Sequence, residues 1–133
     1  MPLPKGLAAY RSTEVQSRTP VELVVMLYDG ALRFLANGRD AVERNDIRAR
    51  GDAFSRLLAI ISELQSTLNI ESGGPVAVAL DELYGFIIRR VMDAAMQNSP
   101  APLDEVRRVL ETLRDGWQQI ALQPPASSLS STT

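Results

Sequence analysis

Four segments of roughly twenty residues repeat apolar side chains at helical spacing, separated only by short breaks rich in Gly, Pro, Asn and Ser. They run from about 20 to 44, 46 to 68, 75 to 97 and 103 to 122. The breaks fall at Asn45-Asp46, at Glu71-Ser72-Gly73-Gly74 before Pro75, and at Asn98-Ser99-Pro100-Ala101-Pro102. No stretch alternates polar and apolar residues between hairpin turns, so the fold class is all-α. Helices of this length joined by connections this short predict an up-down antiparallel four-helix bundle. Residues 1–18 stand apart as an N-terminal arm or lid, 19–122 form the bundle, and 123–133, ending QPPASSLSSTT, read as a disordered tail. A chain of 133 residues is long enough to bury one core.

The first segment opens with a complete start signal. Thr19 suits an N-cap, Pro20 the first helical position, and Glu22 the third position of a capping box. Its apolar residues then spread too far. Stepping ~100° per residue, Leu23, Leu27, Ala31, Val24, Leu35, Tyr28, Val21, Leu32 and Val25 cover roughly 200° of arc, twice a normal core stripe. The second segment is similarly wide, with Ile47, Phe54, Leu57, Leu58, Ile60, Ile61, Leu64 and Leu68. The third has a core stripe of Val76, Leu80, Leu83, Tyr84, Ile87 and Val91, and a second line of Val78, Gly85, Met92 and Met96 pointing elsewhere. The fourth is narrow, with Leu103, Val106, Leu110, Leu113, Trp117 and Ile120 in a/d spacing.

Two explanations fit the surplus. The wide arcs can be absorbed by tight packing, by the N-terminal segment or by a homodimer, or they can form grooves that receive the amphipathic helices of another chain. Flexible thioethers at Met26, Met92 and Met96 suit an adaptable binding surface. Gly30 and Gly85 would let another backbone approach closely.

Several chemistries lack their residues. Cysteine and histidine are both absent, which removes disulfides, thiolate or imidazole metal sites, and Cys- or His-based catalysis. The carboxylates fall on outer faces without such partners, so no enzyme, metal or cofactor is expected. A net charge of −2 and a pI near 5.1 give no basis for nonspecific nucleic-acid binding. The opening MPLPKGLAAY lacks an apolar run of signal-peptide length, and no run is long enough to insert stably in a membrane, so a cytoplasmic location is expected.

The order of short motifs is then informative: Tyr10, Val15, Thr19-Pro20, Leu23 and Met26-Leu27-Tyr28-Asp29-Gly30-Ala31, followed by Ala41-Val42 and Asn45-Asp46. After these come Ile60-Ile61-Ser62-Glu63-Leu64, Thr67-Leu68-Asn69, Leu83-Tyr84, Arg89-Arg90 and Leu113-Arg114-Asp115-Gly116-Trp117. This series, from about residue 10 to 120, resembles the FliS family of bacterial flagellar export chaperones. The resemblance implies a cytoplasmic bundle that binds the disordered C-terminal segment of flagellin in surface apolar grooves. Binding would block premature polymerisation and hold flagellin ready for the flagellar type III export gate. Another export substrate or a regulator, such as an anti-sigma factor, is the alternative client, and a purely structural oligomerisation bundle is a further alternative.

The partner-binding candidates are Leu7, Tyr10 and Val15 in the arm, Leu23, Val25, Met26 and Leu32 at the edges of the first arc, Ile60 on the second helix, and Val78, Gly85, Met92 and Met96 on the third. Tyr28, Tyr84 and Trp117 are expected in the core, the two tyrosine hydroxyls reaching its rim. Asp29 is expected to be a solvated carboxylate. Arg89 and Arg90 are expected on a solvated face.

Overall fold

The computed structural model describes residues 18–123, and these form four α-helices. They are α1 (Pro20–Glu43), α2 (Ile47–Ser66), α3 (Ile70–Gln97) and α4 (Ala101–Ala121). The described residues contain no strand, so the expected fold class holds.

The start of α1 uses the signal read in the sequence. Glu22 N–H donates to the Thr19 hydroxyl, and Thr19 N–H donates to the Glu22 carboxylate, at 3.1 and 3.2 Å. Asp46 and Asn69 likewise cap α2 and α3, accepting from the backbone N–H groups of Ala49 and Ser72. The third helix departs from expectation. The expected turn is Glu71 to Gly74, but residues 70–73 already form a helical turn. The chain then breaks at Gly74, where φ is 57°, and resumes at Pro75. A left-handed φ is cheap only without a Cβ, so Gly74 carries the kink and Pro75 restarts the helix.

Cross-helix contacts fix the directions. Moving back along α1 from Arg39 to Asp29 moves forward along α4 from Asp104 to Arg114, the two pairs closing at 2.8 Å each. Arg50 and Gln65 of α2 meet Asn98, the C-cap of α3, and Asp81, near its middle, in the reverse order. Neighbouring helices are therefore antiparallel. At one end, the α1–α2 and α3–α4 connections are tied together. Asn45 and Asn98, both left-handed with φ of 56° and 49°, are bonded side chain to side chain at 2.9 Å.

The core is one cluster drawn from all four helices, including Leu35, Leu57, Ile61, Ile87, Val91, Leu103, Val106 and Leu110. The α1–α2 seam is the tightest part. A Cβ at Gly38 would stand 2.5 Å from the Phe54 ring, so the helices approach there only because Gly38 has no side chain. Gly30 faces the same seam, and a Cβ there would stand 3.3 Å from the Ile60 side chain. Three residues assigned to core stripes lie outside it. Leu83 is half-buried, and Val76 and Ile120, each near a helix end, are 69% and 48% exposed.

Candidate functional site

The residues that carry the motifs hold the bundle together. Tyr28 and Tyr84 are buried, and their hydroxyls meet each other at 2.6 Å rather than reaching the rim. The half-buried Trp117 lies beside the Tyr28 hydroxyl. Either tyrosine hydroxyl can be the donor of the bond between them, whereas the neighbouring indole N–H can only donate. Burial, then the bond to Tyr84, pushes the Tyr28 hydroxyl far above the ordinary tyrosine range, and burial also raises Tyr84. Both stay neutral at any physiological pH, which suits a structural link better than proton transfer.

Asp29 is no free carboxylate. It accepts from Arg114 Nε at 2.8 Å, so the Leu-Tyr-Asp-Gly and Leu-Arg-Asp-Gly-Trp motifs meet across α1 and α4 at two neighbouring points. Arg90 is half-buried and pairs with Asp93 and with Glu105 of α4, which corrects its reading as a solvated face. Arg39 bonds Asp104 and holds its carboxyl below the usual carboxylate range. Among the described residues, no group of carboxylates could hold a metal ion.

The remaining surface is apolar in distinct places. Gln65 of α2 donates to Asp81, so the flank of α3 bearing Asp81 faces α2. Val78, Gly85, Met92 and Met96 lie along that flank at helical spacing, within roughly 60° of Asp81. Val78 is 41% exposed, Met92 54% and Met96 83%. A Cβ at Gly85 would meet only the flexible Arg89 guanidinium, so this part of the flank is open to a close neighbour. Ile47, also exposed, lies between Asn45 and Arg50, whose side chains both reach Asn98, and therefore shares that end of the bundle with Met96.

The opposite flank of α3 is a surface that sequence reasoning missed. Leu83 lines a shallow groove of about 260 Å³ with Arg108, Val109, Thr112 and Leu113 of α4. The Arg90–Glu105 pair sets the register, and running it toward the other end carries Val76 to Ile120. Val76, Leu83 and Ile120 had been assigned to core stripes. The available signal was the spacing of Val76 and Leu83, one heptad apart and off the Tyr84–Val91 line.

The other candidates divide among faces. Leu23, Met26 and Ile60 are half-buried along the outer α1–α2 side. Leu32 lines an α1–α4 groove of about 200 Å³ with Leu35, Ala36, Arg39, Leu103, Arg107 and Glu111. Val25 is 6% exposed and offers a partner little surface in this conformation. Leu7, Tyr10 and Val15 lie outside the described residues. The candidates thus form no single patch; they lie on three sides of the bundle.

An antiparallel bundle whose charged side chains lock its helices together, and whose spare surface is apolar, is a helical binding module. The chain belongs to the FliS family: the family model for flagellar protein FliS matches residues 4–124. It is 36% identical over 127 residues to the flagellar secretion chaperone FliS of Salmonella typhimurium, covering 92% of this chain and 93% of that one. It is 32% identical over 121 residues to the flagellar secretion chaperone FliSB of Pseudomonas aeruginosa, covering 88% and 96%. With the flagellar secretion chaperone FliS of Bacillus subtilis the identity is 31% over 121 residues, covering 90% and 88%. Family identity points to a non-enzyme. No helix among the described residues is long and apolar enough to cross a membrane.

Proposed function

We propose that this chain is a flagellar export chaperone that acts in the cytoplasm, binding the disordered C-terminal segment of flagellin on its exposed apolar flanks. Binding keeps that segment from polymerising early and presents the subunit to the export gate. One observation carries the reading: Val78, Met92 and Met96 stand exposed along a single flank of α3 around the open Gly85.

Magnitudes favour a client that wraps. Burying one Val or Met side chain contributes about 1.5–3 kcal/mol, so this flank supplies several kcal/mol. Association alone costs at least about 4 kcal/mol, and ordering a disordered segment costs about 2–5 kcal/mol more. The α3 flank by itself therefore falls short. A stable complex needs further apolar contact, and the α3–α4 groove around Leu83 and Leu113 and the α1–α4 groove around Leu32 offer it. A segment crossing more than one face also suits the separation of the candidate residues.

The test is coexpression with the host flagellin, whole and lacking its last ~40–60 residues, a span on the scale of wrapping by a disordered segment. Copurification with whole flagellin alone supports the reading. Equal capture of both forms contradicts it.

A further inference from the structure

The α3 flank carries two methionines in a chain that has no cysteine. Without thiols, thioethers are the softest nucleophiles available to a two-electron oxidant, and their reactivity then follows exposure. Met96 is 83% and Met92 54% exposed, whereas Met26 is half-buried on α1. Met92 and Met96 are one helical turn apart, so their side chains emerge side by side on the same surface.

We infer that Met92 and Met96 form an oxidation-sensitive site, at which hydrogen peroxide or a similar peroxide converts the thioethers to sulfoxides and weakens client binding. The chemistry balances without a further reagent. A sulfur lone pair attacks one peroxide oxygen, an S–O bond forms as the O–O bond breaks, and the other oxygen leaves as hydroxide, or alkoxide from an alkyl peroxide, and takes up the proton of the transferred oxygen to become water or an alcohol. Each sulfur is oxidised by two electrons and each peroxide is reduced by two. The product is polar and a hydrogen-bond acceptor, and an apolar client surface would have to desolvate it. The core contains no methionine, so oxidation at this flank leaves packing intact. The inference rests on the reading of this flank as a client surface.

The test oxidises the purified full chain with hydrogen peroxide, removes the peroxide, and maps sulfoxides by peptide mass spectrometry. Titration follows with a peptide spanning flagellin's last ~40–60 residues. Met96 should oxidise first, then Met92, both ahead of Met26. The oxidised protein should bind about tenfold more weakly, the scale of losing one well-packed interface residue. The affinity of the M92L/M96L variant should be the same before and after peroxide, and methionine sulfoxide reductase should restore the oxidised wild type. Three results overturn the inference: faster oxidation of Met26, unchanged binding after oxidation, or an equal loss on oxidising M92L/M96L. The M92E/M96E variant separates the two levels. If it binds as the unoxidised wild type does, with unchanged helical circular dichroism, this flank is not the client surface. If it binds weakly while the sulfoxide form binds normally, only the redox inference falls.

Discussion

Removing the Tyr28 hydroxyl should cost more than removing that of Tyr84, and removing both should cost less than the two together. The hydroxyls are 2.6 Å apart, their residues are 0% and 2% exposed, and the indole of Trp117 lies beside the Tyr28 hydroxyl. Tyr28→Phe leaves the Tyr84 hydroxyl unpaired in the core and removes the acceptor of the indole N–H. An unsatisfied buried polar group costs about 1–3 kcal/mol, so this variant should lose about 2–3 kcal/mol. Tyr84→Phe leaves the Tyr28 hydroxyl with the neighbouring indole N–H as a partner and should lose about 1 kcal/mol, the net value of an ordinary hydrogen bond. In the double variant no hydroxyl is orphaned, and only the indole N–H lacks its partner. Its cost should fall short of the additive value by about 1 kcal/mol, the coupling expected of groups in one network. Urea denaturation followed by the fluorescence of Trp117, the only tryptophan, measures all three variants. Additive costs, or a Tyr84→Phe variant less stable than Tyr28→Phe, would refute the network.

Gly38→Ala should destabilise the bundle by about 1–2 kcal/mol, because the new Cβ would lie 2.5 Å from the Phe54 ring and overpacking outweighs the helix propensity gained. Gly51→Ala, which meets nothing within 4 Å, should instead stabilise by up to about 1 kcal/mol, and thermal melts of both variants check the opposite signs. The capping box should be lost in acid. Backbone and hydroxyl bonds from Thr19 hold the Glu22 carboxyl below its ordinary 4.5, so its contribution is present above that pH and disappears as pH falls through the folded value. Glu22→Gln should therefore flatten the acid limb of stability against pH between about 5 and 3 relative to wild type, within the range where carboxylates titrate. An unchanged limb would show that the cap adds nothing there.

The architecture was legible because helical period, caps and breaks agree along the chain. Thr19, Pro20 and Glu22 mark the start of α1 correctly, and Asn45 and Asn98 turn the chain where the sequence breaks. Surface assignment was harder. Periodicity gives the angle of a side chain about its own helix, but not which neighbour lies at that angle or where the neighbour ends. Val76 and Ile120 follow core spacing and still emerge near helix ends, while Val25 sits near an arc's edge and is covered. Asp29 looked solvated because its partner Arg114 is distant in sequence, and only the antiparallel register brings the two together. The motif residues were the easiest to recognise, and Tyr28, Asp29, Tyr84, Arg114 and Trp117 turn out to hold the bundle together. The exposed flank of α3 carries weaker sequence marks, because a binding surface needs apolar area more than any fixed residue.

The most direct measurement is methyl NMR of the full chain titrated with a peptide of flagellin's C-terminal segment. Resonances of Val78, Met92 and Met96 should shift and saturate together, while those of the buried Ile87 and Val91 on the same helix stay in place. Saturable binding that leaves the three flank methyls unmoved would contradict the claim that this surface receives the client.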